Sequence, residues 1–513
     1  MPYRQQTSDY EPIRPSSRRI SAGDEEGAET AAAWPASRTS RTTEEDDEGA
    51  GEEAIHPHLS SSATPTASQT DVTQNSLAFK LKRGHLFSFA GLFLFTVVLY
   101  FRPYELFPAL SSLTSMAYVV ALSTLVIFVP SQLALEGTFT YRPREVNLVL
   151  LLTVAALLSM PLALNPGEAW DTFNKEFIKA VVMFIVMINV VRTQRRLKAM
   201  LWLALAVSVF LCVHAINDYR LGNLAIQGQR IAGLLGGMFG NPNDLALHLV
   251  TMIPLALGLM LTTRNVFMKF IYAACAVVMV AGDMITFSRG GFLGLVAVLG
   301  VLAWKLGRRN RLVVFGLFVL MAGFFLFAPG DYTARLGSIV DHSRDAYGSA
   351  GQRQELLIRS IIVTLKHPLL GIGMGNFHIV SIRELVSHNA YTQVSAEMGL
   401  AALALYVMFI VTPLRRLAQI ERETFAARKN SPFYYLAIGL QASLIGFMVN
   451  SFFASVAYQW YVYYLVGYAI CLRRLYEAEV GHSVEPQKKK ANAVSGSVET
   501  ADARAELSPA SIA

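Results

Sequence analysis

Twelve apolar segments alternate with short polar connections between residues 85 and 473: 85–101, 106–130, 146–163, 177–192, 197–216, 243–262, 266–283, 290–305, 311–328, 393–413, 433–453 and 457–473. Most approach the roughly 20 residues needed to cross a bilayer. Backbone N–H and C=O groups find no water in hydrocarbon, so such segments must be helical. The pattern predicts an all-α fold: a polytopic membrane bundle of about 12 transmembrane helices over residues 85–475. Residues 1–84 and 476–513 lack apolar periodicity and predict disordered tails. No apolar stretch follows a basic start, so the N-terminus does not read as a signal peptide.

The connections predict sidedness. Basic clusters fall on every second one: Arg142 and Arg144; Arg192, Arg195, Arg196 and Lys198; Arg264 and Lys269; Lys305, Arg308, Arg309 and Arg311; Arg415, Arg416, Arg422, Arg428 and Lys429; then Arg473 and Arg474. Positive loops stay cytoplasmic. Both termini are therefore expected in the cytoplasm; the resemblance given below implies a bacterial inner membrane. One connection, 329–391, is far longer than the rest and is expected to be a large periplasmic loop. Within it, Leu357, Ile361 and Leu365 recur four apart among Arg353, Arg359 and Lys366. That spacing predicts an amphipathic helix from Gln352 to Lys366, on the membrane or on the bundle.

Composition agrees. The 513 residues are 53% hydrophobic and 16% charged, against about 25% charged in an average soluble domain. This excludes an ordinary soluble enzyme. The net charge of +7 comes from an acidic N-terminus and basic loops, so it signals topology; no nucleic-acid partner is expected. Cys212, Cys275 and Cys471 all lie in apolar segments and suggest neither a disulfide framework nor a metal motif.

Three regions on the predicted outer side hold the unusual polar residues. Gly228 to Asp244 combines Arg230, five glycines and Asn241-Pro242-Asn243-Asp244. Asn243 or Asp244 is suited to capping the following helix. Thr286 to Gly291 reads T-F-S-R-G-G and places Ser288 and Arg289 between two apolar segments. A guanidinium there can grip a phosphate bidentately. The long loop carries H-P-L-L-G-I-G-M-G-N-F at 367–377, a turn-rich hinge beginning at His367, then His388, Asn389 and Tyr391. A neutral imidazole at the membrane surface can take a proton from a hydroxyl. Glu397 is a supporting candidate. The acidic residues of the loop show no D-x-D spacing, so no metal site and no cofactor is expected.

The ordered set R-x-x-G…F-G-N-P-N, T-F-S-R-G-G, H-P-L-x-G-x-G-x-G-N-F and H-N-x-Y…A-E-x-G-L resembles the O-antigen ligase and polymerase superfamily of bacterial envelope glycosyltransferases, over roughly residues 85–475. The resemblance implies a donor glycan on undecaprenyl pyrophosphate and an acceptor that is lipid A–core or a growing glycan. It implies metal-independent, inverting transfer at the periplasmic face. By position, Arg230 and Arg289 match the arginines thought to hold the pyrophosphate, and His388 the histidine proposed to activate the acceptor. The motifs leave ligase, polymerase, exopolysaccharide and protein-glycosylating branches open. A transporter of envelope intermediates is the alternative from another class. It would predict repeated halves, and the chain shows none.

Overall fold

The computed structural model describes residues 84–480 except 113–114, 225–229, 232, 236–238, 308–310 and 338–348. Residues 1–83 and 481–513 of the expected tails lie outside the described residues. In chain order the helices are α1 (Leu86–Phe101), α2 (Pro103–Leu106), α3 (Met116–Glu136), α4 (Arg144–Ser159), α5 (Pro166–Thr172), α6 (Ile178–Val190), α7 (Gln194–Leu221), α8 (Pro242–Thr262), α9 (Val266–Ile285), α10 (Arg289–Gly307), α11 (Arg311–Phe327), α12 (Gly330–Gly337), α13 (Ser349–Lys366), α14 (Phe377–Val380), α15 (Ala390–Glu423) and α16 (Tyr434–Asn450). A last helix, α17, covers 460–480. No strand occurs among the described residues.

Every predicted apolar segment contains a helix. Nine helices among the described residues are long and apolar enough to cross a membrane, and the chain is a multi-pass membrane protein. Twelve is not reached by that measure, for local reasons. The apolar part of α11 is confined to Val314–Phe327. Helix α6 has 13 residues and continues α5 through a π turn, Phe173–Phe177, that carries Lys175 and Glu176. Helix α17 carries Arg473, Arg474 and Glu477 in its second half, which lowers its hydropathy. The second segment is shifted to Met116–Glu136, after short turns opened by Pro103 and Pro108, yet counts among the nine.

The core forms around α8, which packs on α9, α10 and α16. Its window of highest hydropathy is 78% buried, the largest share of any span. Glycines let α8 and α16 approach closely. A Cβ on Gly439 would stand 2.7 Å from the carbonyl oxygen of Pro254.

The basic connections gather on one face: Arg264 bonds Asn430, Lys305 pairs with Glu421, Tyr476 donates to Glu423 and Gln194 to Glu479. Several of those cations are not solvated. Glu136, at the end of α3, accepts from Arg192 at 2.8 Å and from Arg474 at 2.7 Å. Arg192 also donates to Gln132 at 3.1 Å. Arg473 pairs with the fully buried Glu145 at 3.0 Å. These pairs join the ends of α3, α4, α6 and α17.

Helix α15 has 34 residues, or about 51 Å at 1.5 Å per residue. That exceeds the roughly 30 Å of a hydrocarbon core. The helix is broken at Gly399, where φ is 86° and ψ is 174°. Residues 390–398 thus form a separate leading segment. A side chain at 399 would meet the carbonyl oxygens of Leu369 and Pro368. Gly399→Ala is expected to destabilise the protein by about 1–3 kcal/mol, the usual cost of a glycine-only backbone conformation. Thermal unfolding of the purified protein in detergent measures this, and an unchanged midpoint would refute it.

Candidate functional site

On the face opposite the basic clusters, the start of α8, the end of α9 and the start of α10 converge on one side chain. Arg230 is buried. Its Nε donates to the carbonyl of Thr286 at 3.0 Å, and its Nη2 to Asn243 Oδ1 at 3.0 Å. Ser288 Oγ donates to the same Asn243 oxygen at 3.0 Å and accepts from the Gly291 N–H at 3.1 Å. Tyr332, on α12, donates to the Ser288 carbonyl at 3.2 Å. Between Thr286 and Ser288 the chain turns sharply, with Phe287 left-handed at φ 54°. Arg289 follows Ser288 directly as the first residue of α10 and is partly buried.

The structure thus brings Arg230, Asn243, Ser288 and Arg289 together. The cap of α8 differs from expectation. Asn241 accepts from the Asn243 N–H at 2.8 Å, so neither Asn243 nor Asp244 is the cap. The signal was present in the sequence: Asn before Pro is a favoured N-cap followed by a favoured first helical residue. Freed from capping, Asn243 orients the arginine.

Asp244 leads to the second half of the site. Arg353 of α13 interacts electrostatically with both Asp244 and His388. His388 sits at φ 51°, immediately before the cap of α15. Burial, and then the nearby Arg353 charge, push its imidazole down to about 4. It is neutral at physiological pH and so able to accept a proton. It is deep in the protein yet keeps part of its surface accessible.

Arg353 was not singled out as a site residue by the sequence. Helix α13 forms as expected, and its stripe of Leu357, Ile361 and Leu365 points away from the bundle, as a helix lying on a membrane would place it. Ile361 and Leu365 are exposed, at 43% and 71%. The buried side chains are Leu356, Ser360, Val363 and Thr364, and Thr364 hydrogen-bonds Ser395 of α15 at 2.8 Å. Arg353 lies three residues before Leu356, on that inward side. Counting Ser360 and Thr364 among the packing positions would have revealed it.

The remaining candidates anchor the cleft. Asn389 caps α15, accepting from the N–H groups of Tyr391 and Thr392. The Tyr391 hydroxyl donates to the Met448 carbonyl at 2.9 Å. Glu397 accepts from Tyr458 at 2.6 Å and from the Gly375 N–H at 2.8 Å. It therefore ties the glycine-rich hinge to α15 and α17. His367 lies at the exposed end of α13, apart from these contacts.

Arginines next to a neutral imidazole suit transfer from an anionic leaving group to a hydroxyl. Residues 274–407 match the family model described as O-antigen ligase. This stretch, about a quarter of the chain, holds Ser288, Arg289, Arg353, His388 and Glu397, and is similar to that family's model. A comparison with curated proteins found no match.

Proposed function

We propose that the protein transfers a glycan from undecaprenyl pyrophosphate to an acceptor hydroxyl, on lipid A–core or on a growing glycan, at the periplasmic face of the inner membrane. One observation carries this reading. The adjacent residues Asn243 and Asp244 link the two halves of the site: Asn243 bonds Arg230, and Asp244 and His388 both feel the charge of Arg353. In the proposed step His388 takes the acceptor proton while the acceptor oxygen attacks the anomeric carbon. The bond from that carbon to the pyrophosphate oxygen breaks, and the configuration inverts. Arg230, Arg289 and Arg353 stabilise the charge on the departing pyrophosphate. Arg230 already commits two donors to protein groups, so it also positions the cleft. The basic face is then cytoplasmic, with both termini on that side.

Deletion of the gene followed by glycan analysis tests the reading. Uncapped core with intact lipid-linked polymer identifies a ligase. Single repeat units on the core identify a polymerase. Loss of capsule or exopolysaccharide alone identifies another branch. Unchanged surface glycans of every kind would overturn the proposal.

The neighbouring charges add a pH prediction. A base must be neutral, so transfer is lost as pH falls through the His388 value, near 4. Arg353→Gln removes a charge that depresses that value, so the acid limb of the pH–rate profile is expected to move upward, toward the ordinary histidine range. An acid limb that stays in place would separate Arg353 from His388.

A further inference from the structure

The face carrying the basic clusters has a feature the proposed reaction does not use. Where α4 packs along α15 there is a cavity of about 490 Å³. That falls within the usual range of about 300–1,000 Å³ for ligand sites. Leu148 of α4 and Val407, Met408 and Val411 of α15 give it apolar walls. Two cations line it as well: Arg144, the first residue of α4, and Arg415, near the far end of α15. Both are exposed, and among the described residues neither forms an ion pair. The nearest acid in sequence, Glu145, is fully buried and committed to Arg473.

A groove between membrane helices, with apolar walls, the polar Asn147 and Thr412 beside them, and two arginines where it meets the aqueous side, matches one chemical class. It complements an amphiphile with a hydrocarbon chain and an anionic phosphate. A snorkelling arginine alone would need no cavity beside it. Basic pockets between helices on the cytoplasmic side are the kind that hold anionic headgroups. We infer that the α4–α15 seam binds one anionic glycerophospholipid, its phosphate between Arg144 and Arg415 and an acyl chain along Leu148, Val407, Met408 and Val411. The inference is independent of the reaction proposed above, because no residue of the transfer site lines the groove.

Native mass spectrometry of the full-length protein in mild detergent tests it, with phosphatidylglycerol and phosphatidylcholine as probes. The expected preference for phosphatidylglycerol is roughly thirtyfold, the ratio that two arginines supply toward a net anionic headgroup over one whose phosphate is offset by its own choline cation. Arg144→Ala with Arg415→Ala should reduce the preference to within about threefold of unity. Leu148→Trp keeps both charges but fills the groove, and should weaken phosphatidylglycerol binding about tenfold. Soluble glycerol phosphate should not displace the lipid. Equal binding of the two lipids, or preference retained in the double variant, overturns the inference. Unchanged binding in Leu148→Trp would leave only a surface attraction and overturns the groove. Displacement by glycerol phosphate would make the ligand a free phosphate and overturns the lipid assignment.

Discussion

His388→Ala is expected to lower glycan transfer by about a hundredfold to ten-thousandfold, the range a positioned general base contributes. The residue has φ 51°, a conformation few side chains adopt readily, so alanine alone would mix lost chemistry with lost folding. His388→Asn separates the two. Asparagine tolerates left-handed backbone but offers no base at neutral pH. Both variants should lose surface glycan ladders while the asparagine variant keeps wild-type abundance and thermal stability. Transfer by the asparagine variant within about threefold of wild type would remove His388 from the proton step.

Arg289→Lys is the second large effect. The change keeps the charge and loses the planar fork that binds a phosphate through two parallel bonds. Transfer is expected to fall on the order of a hundredfold, as when one preorganised donor to a developing anion is removed. The loss should appear in the rate at saturating donor and not only in apparent affinity. Arg230→Lys is a less clean test, because it also breaks the bonds to Thr286 and Asn243. Wild-type turnover in Arg289→Lys would refute the clamp.

The two halves of this site were unequally legible. The T-F-S-R-G-G turn and His388 stand out because polar residues between apolar segments interrupt a strong pattern. Arg353 does not stand out, since a cation on an amphipathic helix reads as its solvated face. Its electrostatic coupling to Asp244 and His388 is a tertiary fact, fixed by the docking of α13 through Leu356, Ser360, Val363 and Thr364 instead of through Ile361 and Leu365. The break in α15 was hidden for a similar reason. One glycine inside a helical pattern is common, and only the close approach of Leu369 makes Gly399 a true interruption. Hydropathy located the spans, yet it could not show that Arg192, Arg473 and Arg474 turn inward to Glu136 and Glu145. To a topology rule they are simply positive loop residues.

Those inward pairs have a consequence for how the protein is made. The Arg474–Glu136 contact joins residues 338 apart in the chain. At about 5–20 residues per second, roughly 20–70 s of translation separate the acid from its last partner. Glu145 waits almost as long for Arg473. The basic face is therefore an unfinished electrostatic lock until the final helix inserts. A chain truncated before residue 473 would leave a buried carboxylate without its counterion, at about 3–5 kcal/mol. Insertion of the last helix therefore completes the charge pairing of Glu136 and Glu145.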